Sequence, residues 1–100
     1  MTKTQIQRLQ NECMEFQKNF PGQTIEGVIQ HMIDELEELK KHPRDIMEQA
    51  DLLSFVLVIA GKQKLPADIL VEATFLKMKI NRTRKWPKKP DRRGVFHHVV

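Results

Sequence analysis

Prolines cut this chain wherever its helical pattern would otherwise run on, and that punctuation limits the folds open to it more than any other feature. Ahead of Pro21-Gly22, residues Ile6, Leu9, Cys13, Phe16 and Phe20 recur three and four apart, one face of a helix from about Thr4 to Phe16 or beyond. Thr24 reads as the N-cap of a second helix whose stripe is Ile25, Val28, Ile29, Met32, Leu36 and Leu39, stopped by His42-Pro43. Asp45, with Glu48 three residues on as a capping-box partner, opens a third helix through Met47, Ala50, Leu53, Leu57 and Ala60, ending near Gly61. Its stretch Leu52–Ala60 is almost wholly apolar and should be the most buried. Several β-branched residues make a strand the rival reading, and length and caps favour a helix. Pro66 suits the first turn of a fourth helix with Ile69, Leu70, Ala73, Leu76 and Ile80 inward, running to about Lys85. Trp86-Pro87 breaks it and leaves a short, basic tail expected to be extended. The expectation is an all-α, four-helix bundle, a single domain over residues 1–100 with its tail at 87–100.

Composition removes several classes. No apolar run nears the roughly 18 residues of a membrane span. The N-terminus lacks a basic region followed by an apolar stretch, so no secretory signal is read. Cys13 is the single cysteine, which leaves no internal disulfide and no four-cysteine zinc site. An intracellular, cytoplasmic protein is expected. The net charge is +4, a balance that favours anionic partners.

That sum conceals two clusters. Seven of the thirteen acids lie between Asp34 and Asp51, including the pairs Glu35-x-x-Glu38 and Glu48-x-x-Asp51. Residues three apart share a helix face. Pro43 is equidistant from Glu38 and Glu48, and from Glu35 and Asp51. In an antiparallel hairpin, Glu38 should face Glu48, and Glu35 should face Asp51. Four carboxylates at two levels suit Mg²⁺ or Mn²⁺. The plain alternative is a solvated acidic face, which describes Glu37 well, with Glu48 only a cap. Asp51 fits that poorly, because it adjoins the most apolar helix.

Nine of the seventeen Lys and Arg residues lie between Lys77 and Arg93. Lys77, Asn81 and Arg84, at i, i+4 and i+7, form one polar stripe suited to a polyphosphate. The same run reads equally as a nucleic-acid patch or as a soluble helix face. Asn is a poor interior helix residue, so Asn81 asks for a reason.

Taken in order, these residues resemble the all-α nucleoside triphosphate pyrophosphohydrolases of the MazG-like and dimeric dUTPase superfamily. The hallmark E-x-x-E then E-x-x-D is Glu35-Leu-Glu-Glu38 and Glu48-Gln-Ala-Asp51, with Asp34 where a Glu often precedes the first pair. The phage and prophage dATP/dGTP diphosphohydrolase branch is closer still. Its K-x-x-x-N-x-x-R-x-W-P signature reads Lys77, Asn81, Arg84, Trp86 and Pro87, and His31 and His98-Val99 fit the same branch. His97 stands where relatives tend to have Glu. The resemblance covers about Gln30 to Val100 and implies a MazG-like bundle that converts a (d)NTP to (d)NMP and pyrophosphate. It implies Glu35, Glu38, Glu48 and Asp51 as the catalytic metal ligands, with Mg²⁺ as cofactor or Mn²⁺ in its place. Two ions roughly 3.5–4 Å apart would clamp attacking and leaving oxygens. It implies His31, Lys77, Asn81 and Arg84 as substrate-binding residues. The substrate would be a purine deoxynucleotide, dGTP or dATP, and the assembly a homo-oligomer, dimer or tetramer, in the cytoplasm of a host if the chain is of phage origin. Trp86 would stack a base or anchor packing. The competing reading is a non-enzymatic helical module that binds nucleic acid or nucleotides. It ranks second because it leaves the paired carboxylates unexplained.

Overall fold

The computed structural model describes residues 2–100. Four helices follow in order: α1 (Gln5–Gln17), α2 (Ile25–Lys41), α3 (Ile46–Lys62) and α4 (Ala67–Thr83). The described residues form no β-strand, only an isolated antiparallel bridge between Lys85 and Val99. The all-α expectation and the four breaks hold, and Leu52–Ala60 is helical.

Local chemistry explains the starts. Thr4 Oγ1 accepts from the Gln7 amide at 3.2 Å, Thr24 Oγ1 from Gly27 at 3.0 Å, and Asp45 Oδ1 from Met47 at 2.9 Å. Each side chain satisfies an amide that the first helical turn leaves without a carbonyl. The reciprocal half of the capping box is absent at Asp45, whose amide instead donates to the His42 carbonyl at 3.0 Å. Glu48 is thereby available for other work.

The end of α3 corrects the sequence reading. Gly61 lies inside the helix, and the left-handed residue is Lys64, with φ 61°. The Leu65 amide donates to the Ala60 carbonyl at 2.9 Å and the Lys64 amide to Gly61 at 3.0 Å. This is a Schellman closure built without glycine. Gly61 serves packing instead, since a Cβ there would collide with the Met14 side chain of α1.

The chain divides into two compact units, residues up to Leu70 and Val71–Val100. In the first, α3 packs against both α2 and α1. Its core is Val28, Leu57, Val58, Ala60 and Ala67, three of them from α3, as the apolar run required. One polar residue joins them. Gln10 is buried, donates to the carbonyls of Leu57 at 3.1 Å and Leu65 at 3.0 Å, and accepts from the Ala67 amide at 2.8 Å. Gln7 accepts from the same amide at 3.0 Å. Together they tie α1 to the loop before α4.

In the second unit the tail is not simply extended. Asp91 accepts from the amides of Arg93 and Val95 at 2.8 and 3.0 Å, Gly94 has φ 80°, and Val99 returns to donate to the Lys85 carbonyl at 2.7 Å. Trp86 Nε1 donates to the Asn81 carbonyl at 2.8 Å, and its ring meets His98 edge-on at 6.0 Å. The expected inward stripe of α4 is largely open. Ile69, Leu76 and Ile80 are all exposed, and Phe75 beside them is 68% exposed.

Candidate active site

The hairpin of α2 and α3 brings three of the four predicted carboxylates together. Glu35, Glu48 and Asp51 each offer an oxygen within 4.8 Å of the others, a set that can hold a divalent cation. Glu35 and Glu48 are half-buried and Asp51 is exposed. Glu35 and Asp51 meet as counting from Pro43 gives, but Glu48 joins them, and Glu38, expected to face it, is not in the set. The reason is helical rotation. Three residues turn the chain about 300°, so Glu38 points roughly 60° away from Glu35. Glu38 is exposed, with Lys41 Nζ at 3.6 Å. Glu37 pairs with Lys40 at 3.8 Å on the solvent face.

The charges in this cluster interact strongly. Hydrogen bonding of its protonated form to Glu35 pushes the Glu48 carboxyl above the ordinary glutamate range, helped by loss of water and by the negative charges of Glu35, Asp45 and Asp51. Glu48 Oε2 is shielded from solvent and has no hydrogen-bond partner. A shielded oxygen without a donor, among carboxylates that repel one another, fits a cation ligand. His31 Nε2 lies 3.5 Å from Glu35 Oε1, and its ring packs on Phe55 at 4.6 Å. His31 thus bridges Glu35 and Phe55.

Glu35 and Asp51 of the cluster also line a cleft of about 270 Å³, together with Phe16, Phe20, Gln23, His31, Ser54 and Phe55. Sequence reasoning missed most of this wall. Phe16 and Phe20 are legible only as part of the first helical stripe, and Phe20 lies beyond the end of α1. They are 62% and 45% exposed and meet edge-on at 5.3 Å. Phe55 lies in the apolar run of α3, and Gln23 lies in a turn, where no periodic signal exists. A larger cleft of about 510 Å³, lined by residues of α1 and Leu53, has only Glu12 as a carboxylate and no converging ligands.

The cationic stripe lies in the second unit. Lys77 is exposed, Asn81 and Arg84 are half-buried, and Arg84 Nη1 is 3.4 Å from Asn81 Oδ1. Farther on, hydrogen bonds from Val95, Arg93 and His97 hold the Asp91 carboxyl below its usual range.

A helical hairpin with clustered carboxylates beside an aromatic cleft defines a class, the all-α nucleotide pyrophosphohydrolases. The model of the dATP/dGTP pyrophosphohydrolase family matches residues 8–99, and the chain belongs to that family. Among solved structures it is similar to the cyanophage S-2L MazG-like pyrophosphohydrolase bound to dGDP and three catalytic Mn²⁺ ions per active site. The TM-score is 0.79 at 27% identity, covering 98% of this chain and 100% of that one. No curated protein matches. The enzymatic reading of the sequence thus stands over the non-enzymatic one. No helix among the described residues is long and apolar enough to cross a membrane.

Proposed function

We propose that this protein hydrolyses a purine deoxynucleoside triphosphate, dGTP or dATP, to the monophosphate and pyrophosphate. The observation that carries the reading is the convergence of Glu35, Glu48 and Asp51, two of which, Glu35 and Asp51, line a cleft with aromatic side chains. Glu35, Glu48 and Asp51 hold Mg²⁺ or Mn²⁺, and Glu38 turns in to add a ligand. The cations supply charge neutralisation and bring water and substrate oxygens together. Water attacks the α-phosphorus, the bond from that phosphorus to the bridging oxygen breaks, and pyrophosphate leaves with that oxygen. Such a displacement asks the protein mainly for positioning. His31 steadies Glu35, and the carboxylates hold their oxygens on the cation side. Lys77 and Arg84 neutralise the β- and γ-phosphates and Asn81 bonds phosphate or sugar. These roles follow from the match of the sequence to the family's motif.

The whole chain acts as one catalytic domain, supported by a family match that spans both compact units. It works as a dimer or tetramer in the cytoplasm, the host's if the chain is of phage origin. The open apolar residues of α4, which a single copy leaves in water, support the oligomer.

The test is a panel of the common dNTPs and NTPs with Mg²⁺ or Mn²⁺ and chromatographic separation of products. Monophosphate plus pyrophosphate from dGTP or dATP is expected. Orthophosphate, or no product from any nucleotide, overturns the proposal.

A further inference from the structure

The cleft beside the carboxylates is lined by both carboxylates and aromatic rings, and one atom in its wall lacks a partner. Gln23 lines the cleft, and its Oε1 is shielded from solvent with no hydrogen-bond donor. The residue is not loosely placed. Its carbonyl accepts from Lys62 Nζ of α3 at 2.6 Å, and its amide donates to the Phe20 carbonyl at 3.2 Å. It directly precedes Thr24, the N-cap of α2. The side chain thus projects from a backbone pinned on both sides, a geometry suited to recognition. Gln17 Oε1 also lacks a partner, but Gln17 is no part of the cleft wall.

We infer that Gln23 determines base specificity: the nucleobase enters between Phe16, Phe20 and Phe55, and Gln23 Oε1 accepts a hydrogen bond from its exocyclic amino group. The inference rests on the proposed function and adds what that reading leaves open. The cleft's lining suits both parts of a nucleotide. A planar ring is served by the aromatic side chains, and a polyphosphate by cations held at Glu35 and Asp51. A shielded acceptor in the same lining is satisfied by an N–H from the ligand, and a base without that N–H leaves it unpaired. Sites of this kind reject the analogue that lacks the group. Guanine and adenine both carry an exocyclic amine, at different ring positions, and the test separates them.

The experiment compares dGTP with dITP, and dATP with the triphosphate of unsubstituted purine deoxyriboside. Each pair differs only in the amine. Wild type should favour the amino-bearing member of at least one pair by about tenfold in kcat/KM, the loss expected for one hydrogen bond in a desolvated pocket. Gln23→Met, similar in length but without the amide, should bring that ratio close to one by raising KM for the amino-bearing substrate while kcat is kept. Gln23→Glu, which retains an acceptor, should restore the preference. Melting curves establish that both variants fold. Equal rates within both pairs for wild type, or a preference that survives in Gln23→Met, overturns the inference. Calorimetric binding of dGMP against dIMP, and of dAMP against the purine deoxyriboside monophosphate, reads the same contact without turnover. An enzyme inactive on every triphosphate that still separates these monophosphates defeats the proposed function and leaves the inference standing. Equal affinities within both pairs defeat the inference alone.

Discussion

Glu35 of α2 and Glu48 of α3 bring carboxylate oxygens within 4.8 Å of one another across the hairpin, and that closeness raises the Glu48 carboxyl above its ordinary range. Glu48 thus holds its proton more tightly in the folded state than in the unfolded chain. Its contribution therefore favours folding at pH below the ordinary glutamate range and is lost as pH rises through the raised value. In the metal-free protein, Glu48→Gln supplies a donor to Glu35 without a proton and removes one of the clustered charges. The melting temperature at neutral pH should rise. The further rise that Mn²⁺ gives the wild type should vanish, and pyrophosphate release should fall by roughly 100-fold, the upper end of what losing even an outer-shell partner costs.

Glu38 supplies the contrast. Its carboxylate is exposed and makes only a surface pair with Lys41, so Glu38→Gln should leave metal-free stability within about 0.5 kcal/mol of wild type. On the proposed function activity should nevertheless drop, because Glu38 would then be a cation ligand. Thermal melts and the dNTP panel, run on one preparation, separate the two effects.

Gln10 is the polar tie of the first unit. Gln10→Leu removes the donor to two carbonyls and one acceptor of the Ala67 amide. Shielded groups left without partners cost about 1–3 kcal/mol each at the upper end, and Gln7 still reaches Ala67. A net loss of about 2–3 kcal/mol in urea unfolding is expected. A loss below 0.5 kcal/mol, roughly the effect of an ordinary surface change, would remove Gln10 from that role.

Lys64 holds the left-handed position that closes α3. A side chain in this conformation costs about 1–2 kcal/mol, partly offset by glycine's greater freedom when unfolded. Lys64→Gly should stabilise the chain by about 0.5–1 kcal/mol, read as a higher urea midpoint at unchanged slope.

Asp91 organises the tail through Val95, Arg93 and His97. Its carboxyl is held below the unfolded value of 3.8, so the tie is fully present above that value and is lost as pH falls through the depressed one. Trp86 is the single tryptophan and packs against His98, so its emission should report the release. Asp91→Asn should give a similar change at neutral pH.

The sequence by itself determined what depends on near neighbours. The breaks at Pro21, Pro43, Pro66 and Pro87, the caps Thr24 and Asp45, and the burial of Leu57, Val58 and Ala60 all follow from spacing and local hydrogen bonding within a few residues. The carboxylate pairs and the Lys77, Asn81 and Arg84 stripe were legible for the same reason, and with them the family. The tertiary structure decided how far each helix is rotated against its neighbour, which no periodicity within one helix contains. That rotation gathers Glu35, Glu48 and Asp51 and leaves Glu38 exposed beside Lys41. It opens Phe16 and Phe20 to a cleft, and places Gln23 from a turn into its wall. It also makes Gly61 a place of close approach to Met14 and hands the helix end to Lys64. Side-chain spacing fixes which residues share a face, and only the packing of α1 and α2 against α3 fixes what that face meets.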